Sequence, residues 1–168
     1  MTLPEKLEIL IITLSDRASL GEYEDKSGPA IFEALTDCFR DTDFSIVIER
    51  KIIPDEVSQL ENLVSSGSNS YNLIFTTGGT GIGPRDITVD VISPMLKKEI
   101  PGIMELIRTK YGRDKPNALL SRGVAGIIGK SLIFTLPGSL KAVNEYMLEI
   151  CKILEHSIYM QYGVDVHH

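Results

Sequence analysis

The sequence predicts an α/β fold with a mostly parallel central sheet that is covered by helices on both faces. Apolar runs typical of buried strands alternate with amphipathic helical segments along the whole chain. Each strong apolar run also ends in a short loop rich in Gly, Pro or Asp, as parallel strands do before a crossover. At 168 residues, with 43% hydrophobic and 24% charged residues, the chain fits a single domain with one core.

The strands are predicted from continuous apolar stretches that are bounded by turn-forming residues. Four of these stretches are strong, and one, at 124–128, is weaker. Helical periodicity fills the gaps between them, and it includes a long apolar stripe in the last helix. A third helix should begin near Asp86 or Thr88 and be interrupted around Ser93-Pro94. In order, the strands are 7–14, 44–53, 71–76, 124–128 and 131–136, and the other helices are 31–38, 57–64, 102–111 and 140–159.

A glycine-rich loop follows the predicted strand at 71–76. Gly78, Gly79, Gly81 and Gly83 permit backbone angles that other residues avoid, so the chain can turn sharply and bring its amide groups close to an anion. The loop is not a Walker A motif, because Pro84-Arg85 stands where Lys and then Ser or Thr are required. It also lacks the third glycine of the dinucleotide fingerprint, so a phosphate site of another kind is predicted.

Two aspartates are expected at the same edge of the sheet as this loop. Asp55 and Asp86 each stand between a loop and a helix, and each carboxylate could simply cap its helix. Beside a phosphate cradle, however, two carboxylates form a plausible Mg²⁺ site, because this hard cation prefers oxygen ligands. The loop at Ser15-Asp16 is expected at the same edge, and Arg85 could oppose phosphate charge there.

The composition of the chain indicates which binding partners and which cellular compartment to expect. A net charge of −6 argues against broad nucleic-acid binding, which requires many Lys and Arg residues. No apolar stretch is long enough to span a bilayer, so no membrane association and a cytoplasmic location are predicted. Cys38 and Cys151 form no metal-spaced pair and are interpreted as isolated structural thiols. His167 and His168 are terminal and receive no site role.

An ordered set of short motifs runs along most of the chain. Its members are Ser15-Asp16-Arg17-Ala18-Ser19, Asp25-Lys26-Ser27-Gly28-Pro29, Ile53-Pro54-Asp55-Glu56, Thr76-Thr77-Gly78-Gly79-Thr80-Gly81, Arg85-Asp86-Ile87-Thr88, Pro101-Gly102, Leu120-Ser121-Arg122 and Leu136-Pro137-Gly138. The set as a whole is far more specific than a glycine loop alone. It resembles the molybdopterin adenylyltransferases of the MogA type.

The resemblance implies a three-layer α/β sandwich, usually a homotrimer, that adenylylates molybdopterin. Such an enzyme uses ATP and Mg²⁺, releases pyrophosphate and passes its product to a separate molybdate-inserting protein. The family's two essential aspartates, which also bind the metal, fall on Asp55 and Asp86. Its nucleotide- and substrate-binding positions fall on Ser15, Asp16, Thr77, Gly78, Gly79, Thr80, Gly81, Ser121, Pro137, Gly138 and Ser139.

Two departures from the family pattern accompany these matches. Val89 stands where many relatives have proline, which could loosen the start of the helix after Asp86. Leu140 replaces another proline, so a local difference in the turn at Ser139 is expected. Two other readings therefore stay open: a related enzyme that acts on another nucleotide or pterin, and a pterin-binding or scaffold protein without catalytic activity.

Overall fold

The computed structural model describes residues 2–164, so the terminal His167 and His168 lie outside the described residues. Strands and helices alternate along most of the chain. In chain order the elements are β1 (Lys6–Leu14), α1 (Asp16–Ser19), α2 (Ser27–Cys38), β2 (Ser45–Ile53), α3 (Val57–Gly67), β3 (Leu73–Thr77), α4 (Thr88–Ile92), a 3₁₀ turn (Ser93–Met95), β4 (Lys98–Glu99), α5 (Pro101–Gly112), a second 3₁₀ turn (Pro116–Leu120), β5 (Ala125–Ile128), β6 (Ser131–Leu136) and α6 (Leu140–Tyr162).

Within the described residues, six strands form one sheet in the order β2-β1-β3-β6-β5-β4. β2, β1, β3 and β6 are parallel, whereas β5 runs antiparallel to both β6 and β4. The chain leaves β1 toward β2 on one side, while β3 lies on the other side of β1. This reversal of strand order opens a crevice at the carboxyl ends of β1 and β3, where ligands bind in open α/β sheets.

Helices cover both faces of the sheet, so the predicted three-layer arrangement is confirmed. Successive side chains of β1 alternate between two apolar clusters: Ile9 and Ile11 belong to one, and Leu10 and Ile12 belong to the other. α2, α5 and α6 pack on the first cluster, which includes the stacked rings of Phe75 and Phe134. α3 and α4 pack on the second.

The predicted strand at 131–136 matches β6, and the strands at 7–14, 44–53 and 124–128 match β1, β2 and β5 within one residue at their start. β3 begins two residues later than predicted, because Tyr71 and Asn72 precede the ladder. The predicted break at Ser93-Pro94 is confirmed, since α4 passes there into a 3₁₀ turn. The sequence did not predict α1 or β4, which have four and two residues and are too short for a periodic pattern.

Neither family departure disrupts its local structure. α4 begins at Thr88 without a proline, and Val89 is buried in the cluster beneath it, so apolar packing holds this helix start. Ser139 caps α6 by accepting a hydrogen bond from the Ala142 N–H at 3.3 Å, while Leu140 begins the helix. Among residues 2–164, no helix combines the length and apolar character that a bilayer span needs.

Candidate functional site

The predicted site residues lie at the carboxyl ends of the four parallel strands. Ser15 and Asp16 follow β1, and Asp55 follows β2. The glycine loop, which starts at Gly78 and extends through Asp86, follows β3, and residues 137–139 follow β6. Ser121 joins them from the segment before β5, through a hydrogen bond of its hydroxyl to that of Thr80 at 3.2 Å. Four loops and this segment therefore meet at one edge of the sheet.

The loops after β1 and β2 are joined by reciprocal hydrogen bonds. The Asp16 N–H donates to Asp55 Oδ2 at 3.1 Å, and the Asp55 N–H donates to Asp16 Oδ1 at 3.0 Å. Asp55 is not the N-cap of α3, which is Glu56. Arg85 reaches across from the glycine loop and forms an ion pair with Asp16. The interpretation of Asp55 as a cap of the helix that follows it is therefore wrong, because its carboxylate ties two loops together.

The glycine loop requires glycine at its first two positions. Gly78 has φ +100° and Gly79 has φ +66°, in the region that favours glycine. A Cβ on Gly78 would lie 2.4 Å from the carbonyl oxygen of Leu14, and one on Gly79 would lie 2.5 Å from Thr88 Oγ1. Buried Thr88 fixes this conformation, because its hydroxyl donates to the Gly78 carbonyl at 2.8 Å and its N–H to the Gly79 carbonyl at 3.0 Å.

The loop leaves amide groups available to a ligand. The Gly78 N–H donates to the Leu136 carbonyl at 3.0 Å, which anchors the loop to β6. The N–H groups of Gly79, Thr80 and Gly81 donate to no acceptor within residues 2–164. Successive unpaired amides without bulky side chains form an anion-binding concavity. Three consecutive amides of the loop therefore have no hydrogen-bond partner within the described residues.

Asp86 closes the far side of this loop. Its Oδ2 accepts a hydrogen bond from the Gly83 N–H at 2.7 Å, and a Cβ on Gly81 would lie 2.7 Å from the same oxygen. The first residue of α4 is Thr88, and its N-cap, Ile87, makes no side-chain capping bond. The Asp86 carboxylate therefore holds the glycine turn and does not cap the helix.

Arg122 holds the glycine loop in place through hydrogen bonds, and this role was not predicted from the sequence. Its guanidinium donates to the carbonyls of Gly81 at 2.8 Å and Asp86 at 3.0 Å, and it forms a two-pronged ion pair with Asp90 at 2.8 and 3.0 Å. Its backbone N–H donates to the Thr80 carbonyl at 2.8 Å. The planar fork suits this task, because it can satisfy several acceptors at once. In the sequence, Arg122 is distinguished only by its position next to Ser121.

The loop at 137–139 is held by hydroxyl groups from two directions. Thr77 Oγ1 donates to the Pro137 carbonyl at 2.8 Å, and Ser27 Oγ, at the start of α2, donates to the Gly138 carbonyl at 2.8 Å. A Cβ on Gly138 would lie 3.3 Å from the Cα of Gly78, so the two glycine-containing loops are in close contact.

Two recesses flank this loop. One, of about 150 Å³, lies on the α1 and α2 side and is lined by Ser15, Thr77 and Gly138 together with Thr13, Leu14, Ala18, Tyr23, Asp25 and Ser27. The other, of about 250 Å³, lies between α5 and α6 and is mostly apolar. Its lining includes Ser121, Pro137, Ser139, Arg108, Lys115 and Tyr146. Together the recesses include six of the predicted binding residues.

Tyr146 is a further residue of the second recess that sequence reasoning missed. Its side chain is 3% exposed, and its hydroxyl has no hydrogen-bond partner among residues 2–164. Burial raises the pKa of Tyr146, and the Ser121 hydroxyl, which lies nearby without meeting hydrogen-bond geometry, partly opposes that shift. A buried polar group without a partner is uncommon and carries a cost. In the sequence, Tyr146 falls on the apolar side of α6 and looks like an ordinary core residue.

The carboxyl groups of Asp16, Asp55 and Asp86 lie near enough to affect one another. Burial raises the pKa of Asp55, and the charges of Asp16 and Asp86 raise it further, against the hydrogen bond from Asp16 and the charge of Arg85. The pKa of Asp16 is lowered by the Asp55 N–H and by Arg85. No group of three or more His, Cys, Asp or Glu side chains that could hold a metal occurs in residues 2–164.

The sequence and the fold both match known proteins. The family described as "probable molybdopterin binding domain" matches residues 10–156. The chain is 37% identical over 163 residues to the molybdopterin adenylyltransferase of Pyrococcus furiosus. The aligned residues are 92% of this chain and 93% of that relative. A solved structure described as the anomalous substructure of MogA superposes with a TM-score of 0.82 at 32% identity, covering 92% of this chain and 99% of that one.

One relative is much longer than this chain. Gephyrin of Dictyostelium discoideum is 36% identical over 155 residues, which are 88% of this chain but only 21% of gephyrin. This chain thus corresponds to one part of that larger protein. The family match, the identities and the superposition agree with the motif set found in the sequence. The chain therefore belongs to the probable molybdopterin binding domain family, as a MogA/MoaB-type molybdenum cofactor biosynthesis protein.

Proposed function

We propose that this chain is a molybdopterin adenylyltransferase, a nucleotidyltransferase that transfers AMP from ATP to molybdopterin and releases pyrophosphate. The observation that carries the proposal is the glycine loop at the switch point of the sheet, which contains three unpaired amides and Asp86, with Asp55 near enough to feel the charge of Asp86. The identity to the P. furiosus enzyme of that name supports it over almost the whole length of both chains. Residues 1–168 act as one adenylyltransferase domain.

In this proposal the two recesses hold the two substrates on either side of residues 137–139. The amides of Gly79, Thr80 and Gly81 bind phosphate oxygens of ATP, and the terminal phosphate of molybdopterin attacks the α-phosphorus. No covalent enzyme intermediate is needed, because positioning and charge stabilisation account for most phosphoryl-transfer catalysis. One recess is lined by Ser15, Thr77 and Gly138, and the other by Ser121, Pro137 and Ser139. Asp16 and Gly78 hold the adjoining loops in place through hydrogen bonds.

Mg²⁺ would be held by Asp55 and Asp86 together with substrate phosphates. Magnesium usually takes only one or two protein carboxylates beside phosphate oxygens and water, so these two side chains suffice. Burial, followed by the charges of Asp16 and Asp86, raises the pKa of Asp55, and a cation would offset the charge part of this shift. When bound, the metal would neutralise charge on the reacting phosphates.

The wider context of the enzyme follows from the same family resemblance. We propose a cytoplasmic homotrimer that hands adenylylated molybdopterin to a separate molybdate-inserting protein. Light scattering coupled to size-exclusion chromatography measures the oligomeric state directly. A molar mass near that of one chain would contradict the trimer without affecting the proposed chemistry.

The test of the function is ATP-dependent conversion of molybdopterin with release of pyrophosphate. The Asp86→Ala variant should lose at least about 10²-fold in kcat, because a group that acts at the reacting phosphates is removed. Asp41→Ala is the matched control: Asp41 is exposed in the turn between α2 and β2, and its loss should leave the rate unchanged. Full activity of Asp86→Ala would contradict its catalytic role.

The two other readings predict different results in the same assay. An enzyme for another nucleotide or pterin would be inactive with ATP and molybdopterin, and a competing substrate would bind at least as well. A pterin-binding or scaffold protein would bind molybdopterin without turnover in ATP and Mg²⁺. The intact glycine loop and both aspartates favour catalysis over this last reading.

A further inference from the structure

The fold brings the two cysteines of the chain together. Cys38 and Cys151 are 113 residues apart in sequence, yet Cys38 ends α2 and Cys151 lies in α6, and these helices pack side by side. Cys38 Sγ lies 3.7 Å from the Cys151 carbonyl oxygen, and Cys151 Sγ lies 3.9 Å from the Ala34 carbonyl oxygen. Both cysteines are free thiols, as the sequence predicted, but they do not lie apart, because each thiol contacts the backbone of the opposite helix.

The thiols are also accessible to small reagents. Both side chains are only half-buried, and both line an open surface groove of about 380 Å³ between α2 and α6. Asp37 and Asn144 contribute polar groups to this groove, and Met147 contributes an apolar one. Neighbouring thiols that small molecules can reach differ from buried structural cysteines, which are inert.

We propose that Cys38 and Cys151 form a reversible disulfide that joins α2 to α6, and that the pair is an oxidation site for small disulfides. The basis is the juxtaposition of the two thiols across the helix pair, within a groove that admits the oxidant. This inference does not depend on the proposed adenylyl transfer.

The chemistry is two successive thiol–disulfide exchanges. The Cys38 thiolate attacks one sulfur of the oxidant and releases the first thiolate, which leaves a mixed disulfide on Cys38. The Cys151 thiolate then attacks Cys38 Sγ and releases the second. The two cysteine protons pass to the two released thiolates, so one disulfide is reduced for each one formed.

Cys38 is the expected first nucleophile. The proximity of the two thiols lowers the pKa of Cys38, whereas the same proximity and burial raise the pKa of Cys151. The lower-pKa thiol carries more thiolate and attacks first. Because Glu155 and Asp37 oppose thiolate formation at the two sites, a neutral oxidant is the better probe.

The disulfide would link two helices that both begin at the candidate functional site. Ser27, the first residue of α2, donates to the Gly138 carbonyl, and Ser139 caps α6. A covalent link of this kind encloses a long stretch of chain, which restricts the unfolded state. The oxidised protein should therefore unfold at a temperature several degrees above that of the reduced one.

The full-length chain is first reduced and then equilibrated with mixtures of 2-mercaptoethanol and its disulfide. Free thiols are alkylated, and the intact mass is measured. The wild type should lose two hydrogens without retaining mercaptoethanol, and it should stay unlinked to other chains on a non-reducing gel. Because the neighbouring thiol has a high effective concentration, closure should outcompete mixed-disulfide accumulation.

The single variants Cys38→Ala and Cys151→Ala provide the matched controls. Each should accumulate one mercaptoethanol adduct on its remaining cysteine and should show no oxidation-dependent rise in unfolding temperature. The proposal is overturned if the wild type accumulates two stable adducts, forms disulfides only between chains, or keeps both thiols free under these conditions. Circular dichroism of each variant establishes that it is folded before oxidation.

Discussion

At the scale of single residues, the candidate functional site contains polar side chains whose hydrogen bonds differ from those expected of residues at the start of a helix. Asp55 joins two loops, Asp86 holds a glycine turn, and neither caps the helix that follows it. The buried hydroxyl of Tyr146 has no hydrogen-bond partner at all among the described residues. Groups kept at some cost to stability tend to serve function.

Replacing Tyr146 with phenylalanine separates stability from binding. Removal of an unpaired buried hydroxyl should stabilise the free protein by about 1 kcal/mol. If the hydroxyl donates to the substrate in the α5–α6 recess, KM for that substrate should rise about tenfold. Thermal unfolding and initial rates with ATP and molybdopterin varied in turn measure both effects. A less stable variant with unchanged KM values would show that the hydroxyl is structural.

Arg122 is the residue that supports the glycine loop, so its geometry matters more than its charge. Arg122→Lys keeps the charge but cannot satisfy the carbonyls of Gly81 and Asp86 together with Asp90. We expect kcat to fall about tenfold, because misplaced phosphate ligands weaken transition-state stabilisation. Arg113→Lys, on the exposed end of α5, is the control and should behave as wild type. Equal activity of the two variants would remove Arg122 from the positioning role.

At the scale of elements, the loop after β3 depends on backbone conformations that few residues can adopt. Gly78 combines a positive φ with the close approach of the Leu14 carbonyl, while Gly79 approaches Thr88. Helix α5 offers a contrast, because Gly102 lies in its first turn, where an added Cβ would have nothing within 4 Å. The same substitution should therefore have opposite effects at these places.

Gly78→Ala should destabilise the protein by about 2 kcal/mol or more, since the added methyl group meets the Leu14 carbonyl at 2.4 Å and the backbone is strained. Gly102→Ala should stabilise it by about 0.5 kcal/mol, because alanine is the better helix former. Urea unfolding of the two variants measures the difference. Similar stabilities would indicate that the loop after β3 rearranges easily, contrary to a preformed phosphate cradle.

At the scale of the whole molecule, the alternation of apolar strands and amphipathic helices was sufficient to predict the layers. It did not predict that β5 runs antiparallel, because a four-residue strand has the same pattern in either direction. Nor did it place Cys38 beside Cys151, since that contact depends on how α2 and α6 pack. The loops after parallel strands could be placed at one edge because strand direction determines where they meet. The roles of the site residues stay predictions.

Packing of α5 against α6 adds a charged cluster that couples the stability of the whole molecule to pH. The carboxylate of Glu149, on α6, is nearly buried and pairs with Lys110 at 2.6 Å and Lys152 at 2.8 Å, and it accepts a hydrogen bond from Tyr111 at 3.1 Å. Chiefly through Lys110 and then Lys152, these contacts lower the pKa of Glu149 to about 2. Because the folded pKa lies below the unfolded one, the resulting stability is present above about pH 4.5.

That stability should be lost as the pH falls from about 4.5 toward 2, because the unfolded chain binds the proton first and Glu149 is protonated in both states only below about pH 2. Glu149→Gln removes the charge at every pH, so it should lower the free energy of unfolding by about 1–2 kcal/mol at pH 7 and by much less near pH 2.5. Urea unfolding across this range measures both values, with Glu61→Gln, an exposed position on α3, as the control. A loss that is the same at both pH values would assign the effect to packing, since only the charged pairs can make it depend on protonation.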